Sequence, residues 1–571
     1  MARAAFFAAA YLTAIACLAF AASAPTTNRT QFGPSEAAAR QNAFAIFNAV
    51  HSAMRQWGSS LNHNGMSFFL VTVPPGVILY HGTDSPDPPP GPEWLAFEIE
   101  HAENFARPRR RSRKAVPPPP PHSPSPTPLS PPAQQHPLLQ DPISPPINDS
   151  PHPQPLPQPP DNNDDDPDDD DDDPLPAHGY LHLYRTTAPL HLLYVDGMSA
   201  GNTAMGTLDT QDLLLRLNRS AGVWDEYGRA TELCALAAAW GCGSSSGGEG
   251  GGGGGGGLLR GVLRMEAGFE VIRCDFADGA MELLDARQRP DVARWPGLRG
   301  LRAWEFVRAV AARYGGIGGG RVVVDWSSMV SALFYEVDLG NPDGRFEGLP
   351  RLVRVSDGEL RGIRDRVAEV MTERARMGEK RVVDWQAVVD LVVSRYADRL
   401  RYLAEGIESL EMMRAEVNSL LDTHIDYAVE DEGFQNATQR CARHYTLSAV
   451  PGTQEDKLIL TAIETVTHAI CSALFEVRKL VVEDPEADDG SLDAAKRTIR
   501  GLMGKLRWSK WKECAGCAYD EVCFVPMWPF GDKESYERPN CRNSSTIEDG
   551  WLDRGYWIPG LGIKPNTTRE R

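Results

Sequence analysis

Residues 79–107 read LYHGTDSPDPPPGPEWLAFEIEHAENFAR, and the fold turns on how that stretch divides. The run VILYHGT at 77–83 has the β-branched and aromatic content of a strand. DSPDPPPGP at 84–92 cannot continue it, because proline removes a ladder donor and fixes φ. EWLAF at 93–97 restarts as a second strand, and Glu100-His101-Ala102 opens a short helix. On the N-terminal side, Phe68–Val73 forms another strand, set off by the turn Pro74-Pro75-Gly76. Before it, residues 35–57 predict one helix whose face carries Phe44, Phe47, Val50, Met54 and Trp57.

Downstream, order resumes with strands at Tyr180–Tyr184 and Leu190–Val195, then a helix over 208–240. GFEVIRCDF (268–276) and RVVVDW (321–326) read as strands on either side of a helix at 301–314. The glycines of GGIGGGR (315–321) follow a helix and precede a strand, the reverse of a phosphate cradle. From residue 356 the pattern is helical only. Ser356 and Glu359 make a capping box, Asp384 caps a second helix, and the longest helix follows Thr453. The class is therefore α+β. A mixed or antiparallel β-rich unit with helices (25–107 and 178–350) precedes a mainly α-helical region (351–511) and a cysteine-bearing tail (512–571).

Two segments cannot build a core. Residues 108–177 run from a basic block through proline into aspartates, and 243–257 are Gly/Ser-rich; both read as long disordered insertions. The net charge of −19 is partly local, since 107–174 holds six Arg/Lys and twelve Asp. A surface this acidic offers no footprint for nucleic acid.

Residues 1–24 have the layout of a signal peptide, with a signal anchor as the alternative; no stable membrane span is expected after cleavage. Export makes Asn28, Asn218, Asn436, Asn543 and Asn566 glycosylation candidates; Asn148 is weakened by Pro151. It also favours disulfides among nine cysteines, with Cys17 left in the leader. Cys514, Cys517, Cys523 and Cys541 allow three pairings in the tail; Cys441 with Cys471 and Cys234 with Cys242 are further candidates. In an oxidising compartment the tail cysteines favour bridges over zinc, and no metal site is expected. The basic amphipathic stretch 491–512 reads as a solvated face.

The HGT of residues 81–83 resembles the first motif of the ADP-ribosyltransferase fold. That resemblance implies NAD as cofactor, with His81 on the nicotinamide ribose, the Gly82 backbone on the carboxamide, and Thr83 beside them. Phe97 stands where that family has tyrosine, and neither Glu270 nor Glu336 is singled out as a catalytic glutamate. More widely, runs such as MSFFLVTVPPGVILYHGT, EWLAFEIEHAENFARP and WKECAGCAYDEVCFVPMWPFG resemble a family of secreted proteins of filamentous ascomycete fungi with no established activity. Two function classes stay open. One is a non-catalytic secreted protein binding a partner or a wall component; the other is an NAD-dependent mono-ADP-ribosyltransferase-like enzyme.

Overall fold

The computed structural model describes residues 32–107, 178–241, 259–289, 299–312, 321–377, 383–428, 434–545 and 555–558. The expected leader, the 108–177 and 243–257 insertions, Asn28, Asn148, Asn566, Cys17 and Cys242 lie outside them.

The chain opens with α1 (Glu36–Gln41), α2 (Ala43–Ser52) and α3 (Gln56–Leu61), where one helix was predicted. The break has a cause. Met54 takes φ +58°, and its amide donates to the Tyr194 hydroxyl at 3.0 Å instead of to a helix carbonyl. Next come β1 (Asn64–Val73), β2 (Ile78–Thr83), β3 (Glu93–Ala96), α4 (Ile99–Glu103), β4 (Gly179–Thr186) and β5 (Leu190–Gly197). The helix expected over 208–240 is divided. A π-helical turn covers Thr210–Leu215, Leu217 just beyond it takes φ +54°, and α5 runs from Glu226 to Gly241. Strands β6 (Gly261–Met265), β7 (Phe269–Arg273) and β8 (Met281–Arg289), helix α6 (Arg299–Ala311) and β9 (Val323–Ser331) complete this part.

All nine strands share one sheet in the order β8-β4-β2-β3-β7-β6-β5-β1-β9. Every pairing is antiparallel except β5 with β6. The long apolar run of β1 fits its place between β5 and β9, where nearly all its residues are buried. Edge strand β8 was not predicted, because MELLDARQR presents mostly exposed positions without alternation.

Helices α7 (Asp357–Arg376), α8 (Trp385–Arg401), α9 (Leu410–Leu421), α10 (Phe434–Arg443), α11 (Gln454–Arg478) and α12 (Asp489–Leu506) follow. The capping box at α7 is present, with Ser356 N donating to Glu359 Oε2 at 2.9 Å. Among the described residues, the helix at 454–483 is long and apolar enough to cross a membrane. Its apolar face is instead the centre of the helical region. Ile459, Ile463, Val466, Ile470 and Leu474 are buried, and α11 lies against α1, α2, α10 and α12. One hydrophobic core runs from the sheet into this region. Arg374 clamps Asp325 at 2.6 and 2.7 Å, and Trp385 Nε1 donates to the buried Asp456 at 2.7 Å. A short tail adds β10 (Val522–Phe524), α13 (Lys533–Glu537) and β11 (Asn540–Arg542).

Four disulfides brace the described residues: Cys234–Cys274, Cys441–Cys471, Cys514–Cys523 and Cys517–Cys541. The first corrects the expected Cys234–Cys242 pair. Cys234 is bonded to Cys274, 40 residues on, and Cys242 lies outside the described residues. Cys441–Cys471 ties α10 to α11 across a separation of 30 residues. The double variant Cys441→Ser/Cys471→Ser should lose about 3–4 kcal/mol in denaturant unfolding.

Candidate functional site

The HGT strand lies inside the sheet. β2 pairs with β4 along His81↔His182, Gly82↔Leu181 and Thr83↔Tyr180, and with β3 at Tyr80↔Ala96. His81 is 3% exposed, and its Nδ1 donates to the Trp94 carbonyl at 2.8 Å. Burial lowers its pKa to about 4, outweighing the Trp94 bond, so the ring is neutral. Thr83 Oγ1 accepts from the Ser85 amide at 3.4 Å. Phe97 is 1% exposed and belongs to the hydrophobic core, with the Arg321 guanidinium 5.5 Å from its ring centroid.

Gly82 shows why this strand end needs a glycine. A Cβ there would stand 2.0 Å from the Ala102 carbonyl oxygen and 2.6 Å from the Ala106 nitrogen. The close approach that glycine permits is thus used by the chain's own backbone, at the end of α4. In the transferase resemblance the same glycine would receive a carboxamide. The structure brings His81, Gly82 and Thr83 together on β2 but fills the space above Gly82.

The most concentrated chemistry lies on the other side of α4. There His101 Nε2 is 3.4 Å from Glu266 Oε2 and 3.5 Å from Glu270 Oε2. Glu266 opens the β6–β7 connection, and Glu270 faces Arg264 across the hairpin register. Arg264 is fully enclosed. It donates to Glu270 Oε1 at 2.8 Å, to Gln211 Oε1 at 3.0 Å, and to Glu226 on α5. Behind it, Arg229 grips Asp212 with two bonds of 2.9 Å. Glu98 is also buried, and its Oε2 lies on the same side of Gly268 as His101 Nδ1.

Burial alone would lower the His101 pKa. The facing carboxylate of Glu270, with those of Glu266 and Glu98, outweighs it and raises the ring to about 9. Burial pushes Glu266 up to about 8. Burial works the same way on Glu270, but Arg264 and His101 hold that carboxylate below its ordinary range. The arrangement can hold a proton or a cation between one imidazole and two carboxylates. The sequence named His101 only as part of a helix start and Glu270 only as one of two strand glutamates; Glu266 was missed. Nothing in local spacing joins residues 101 and 270.

A second buried acid lies on β5. Asp196 borders a cavity of about 250 Å³ lined in part by Asn48, Ser52, Asn64 and Arg507, and it accepts from Ser67 N at 2.8 Å. Burial raises its pKa to about 7, against the opposing pull of Ser67.

Of the glycosylation candidates, Asn218 and Asn543 each accept from a serine two residues on, at 3.1 and 2.7 Å, and Asn436 is exposed on α10.

Residues 36–299 match the family described as the YPL277C N-terminal domain. That span contains His81, His101, Arg264, Glu266 and Glu270. Two relatives come from Saccharomyces cerevisiae. Uncharacterized protein YOR389W is 22% identical over 571 residues, covering 85% of this chain and 82% of that one. Uncharacterized protein YPL277C is 28% identical over 264 residues, covering 45% of each chain. The chain is thus similar to fungal proteins whose names assign no activity. No solved structure matches it.

Two substitutions probe this geometry. Gly82→Ala drives a methyl into backbone that has no flexible end to move, and should cost about 3 kcal/mol in urea unfolding. For Asp196, the folded pKa lies above the unfolded one. Its contribution is complete below pH 3.8 and is lost as pH rises through about 7. Asp196→Asn should therefore gain on wild type between pH 5 and 8, by on the order of 2–3 kcal/mol in paired denaturant curves.

Proposed function

We propose that this chain is an exported protein of filamentous ascomycete type that acts by binding a partner or a wall component, not by turnover at HGT. The observation that carries the proposal is the set of four disulfides, which leaves no free cysteine among the described residues. Bridges at this density fit an oxidising route and are rare in the cytosol. The apolar run ending Ala22-Ser23-Ala24 fits the same route.

The NAD-dependent reading is the second one, and it rests on HGT. Two features weigh against it. His81 is enclosed and committed to the Trp94 carbonyl, and the glycine edge is covered by the chain's own residues 102–106. A carboxamide would have to displace α4 to reach Gly82.

Expression of the tagged full chain in a fungal host tests the proposal. The expected product is found in the medium, has lost its N-terminal apolar run by mass, shifts on N-glycosidase treatment, and without reductant has no more than one reactive thiol, that of the ninth cysteine Cys242. Retention in the cytosol with titratable cysteines would overturn export. NAD hydrolysis by wild type and His81→Ala should be equal and at background; a drop of about 100-fold in the variant would establish the transferase reading instead.

A further inference from the structure

We propose that His101, Glu266 and Glu270 bind a divalent transition-metal cation of the zinc or manganese class. The inference stands apart from export and from HGT, because it rests only on one buried cluster.

The three donor atoms converge, all within 4.8 Å of one another. The separations between them are informative. At 3.4 and 3.5 Å, the imidazole Nε2 is too far from either carboxylate for a charge-assisted bond, which runs about 2.7–2.9 Å. Neither ring nitrogen of His101 has a hydrogen-bond partner, although the residue is only 3% exposed. A buried imidazole without a bond is costly, so the gap calls for an occupant. A cation held at about 2.0–2.1 Å from each ligand in tetrahedral geometry sets its ligands about 3.4 Å apart. The two imidazole–carboxylate separations match that spacing and are longer than bonds between the donors themselves.

The donor types narrow the ion. One imidazole with two carboxylates suits zinc, manganese or iron, whereas calcium and magnesium favour oxygen-only sets. Two carboxylates also balance a double positive charge. The supporting contacts are already in place. Arg264 holds Glu270 Oε1 at 2.8 Å, leaving Oε2 turned to His101, and Arg264 is itself fixed by Gln211 and Glu226. Gly268 keeps the space beside the ring open, since a Cβ there would sit 2.7 Å from Glu98 Oε2 and 3.3 Å from His101 Nδ1. Glu266, whose side chain is 15% exposed, is the ligand nearest solvent and marks the entry side. Three protein ligands leave a fourth position for water.

The test uses the full chain, purified without reductant so that the tail sulfurs stay in their bridges. After treatment with a chelator and dialysis, the protein is titrated with zinc and separately with manganese by calorimetry, and metal content is measured by mass spectrometry. One equivalent per chain is expected for at least one of the two ions, with a rise in Tm on loading. Glu266→Gln keeps the shape and removes a buried charge, so it should fold, as near-UV circular dichroism checks. Its affinity should fall by about 100-fold or more, with no rise in Tm. Absence of binding by the folded wild type to both ions overturns the proposal. Equal binding by wild type and Glu266→Gln overturns it as well, placing any ion elsewhere.

Discussion

The contact on which the site depends is backbone against backbone: the Ala102 carbonyl over Gly82, where any side chain would collide. This contact sets the height of α4 above the sheet. Helix α4 has only five residues and no side-chain N-cap bond, so it has little stability of its own. Tertiary contacts hold it. Gly82 lies under its C-terminal end and Gly268 beside its first turn. Between these two surfaces His101 has one place to go, next to Glu266 and Glu270 on the β6–β7 hairpin. A residue with a Cβ at either glycine would lift or shift the helix and separate the imidazole from its carboxylates.

The cluster that results is electrostatically expensive, and its neighbours explain how the fold sustains it. Taking several carboxylates out of water is unfavourable unless each has a cation or a donor. Arg264 serves two of them, Glu270 and Glu226, and spends its remaining reach on Gln211. Arg229 serves Asp212 and Glu226 from the other side. The π-helical turn at Thr210–Leu215 has a clear use here, for it presents Gln211 and Asp212 inward from consecutive positions. Breaking such a network at one partner strands the rest.

Much of the sheet was legible in the sequence because its strands are apolar runs bounded by Pro/Gly turns. Phe68–Val73, VILYHGT, EWLAF, Leu190–Val195 and GFEVIRCDF all fall on strands β1, β2, β3, β5 and β7. The capping signals were legible too, since a cap is a local bond between residues three apart. What stayed hidden was set by distant partners. The break near Met54 depends on Tyr194, 140 residues away, and β8 forms only because β4 offers it an edge. The site was hidden for the same reason. His101 and Glu270 become neighbours only once β3 and β7 pair and α4 is docked, and no spacing rule encodes that. HGT is instructive in the same way: a glycine at a strand end signals close approach, but not what approaches.

One topological feature connects the two buried acid centres. The pair β5–β6 is the parallel one among the described strands, in register at Leu193↔Val262 and Tyr194↔Leu263. Asp196 lies at the carboxyl end of β5 and Glu266 directly follows that of β6, and Ala200 N bonds to Met265 O at 2.8 Å to close that end. A parallel pair needs a crossover, and here the crossover carries the π-helical turn and α5, hence Gln211, Asp212, Glu226 and Arg229. The connection required by strand direction therefore delivers the charges that neutralise the site. Ligand sites of parallel sheets gather at strand carboxyl ends, because the loops there leave the sheet toward the same side. Here the same geometry occurs within a mostly antiparallel sheet, and it gathers buried charge at the hairpin that begins where β6 ends.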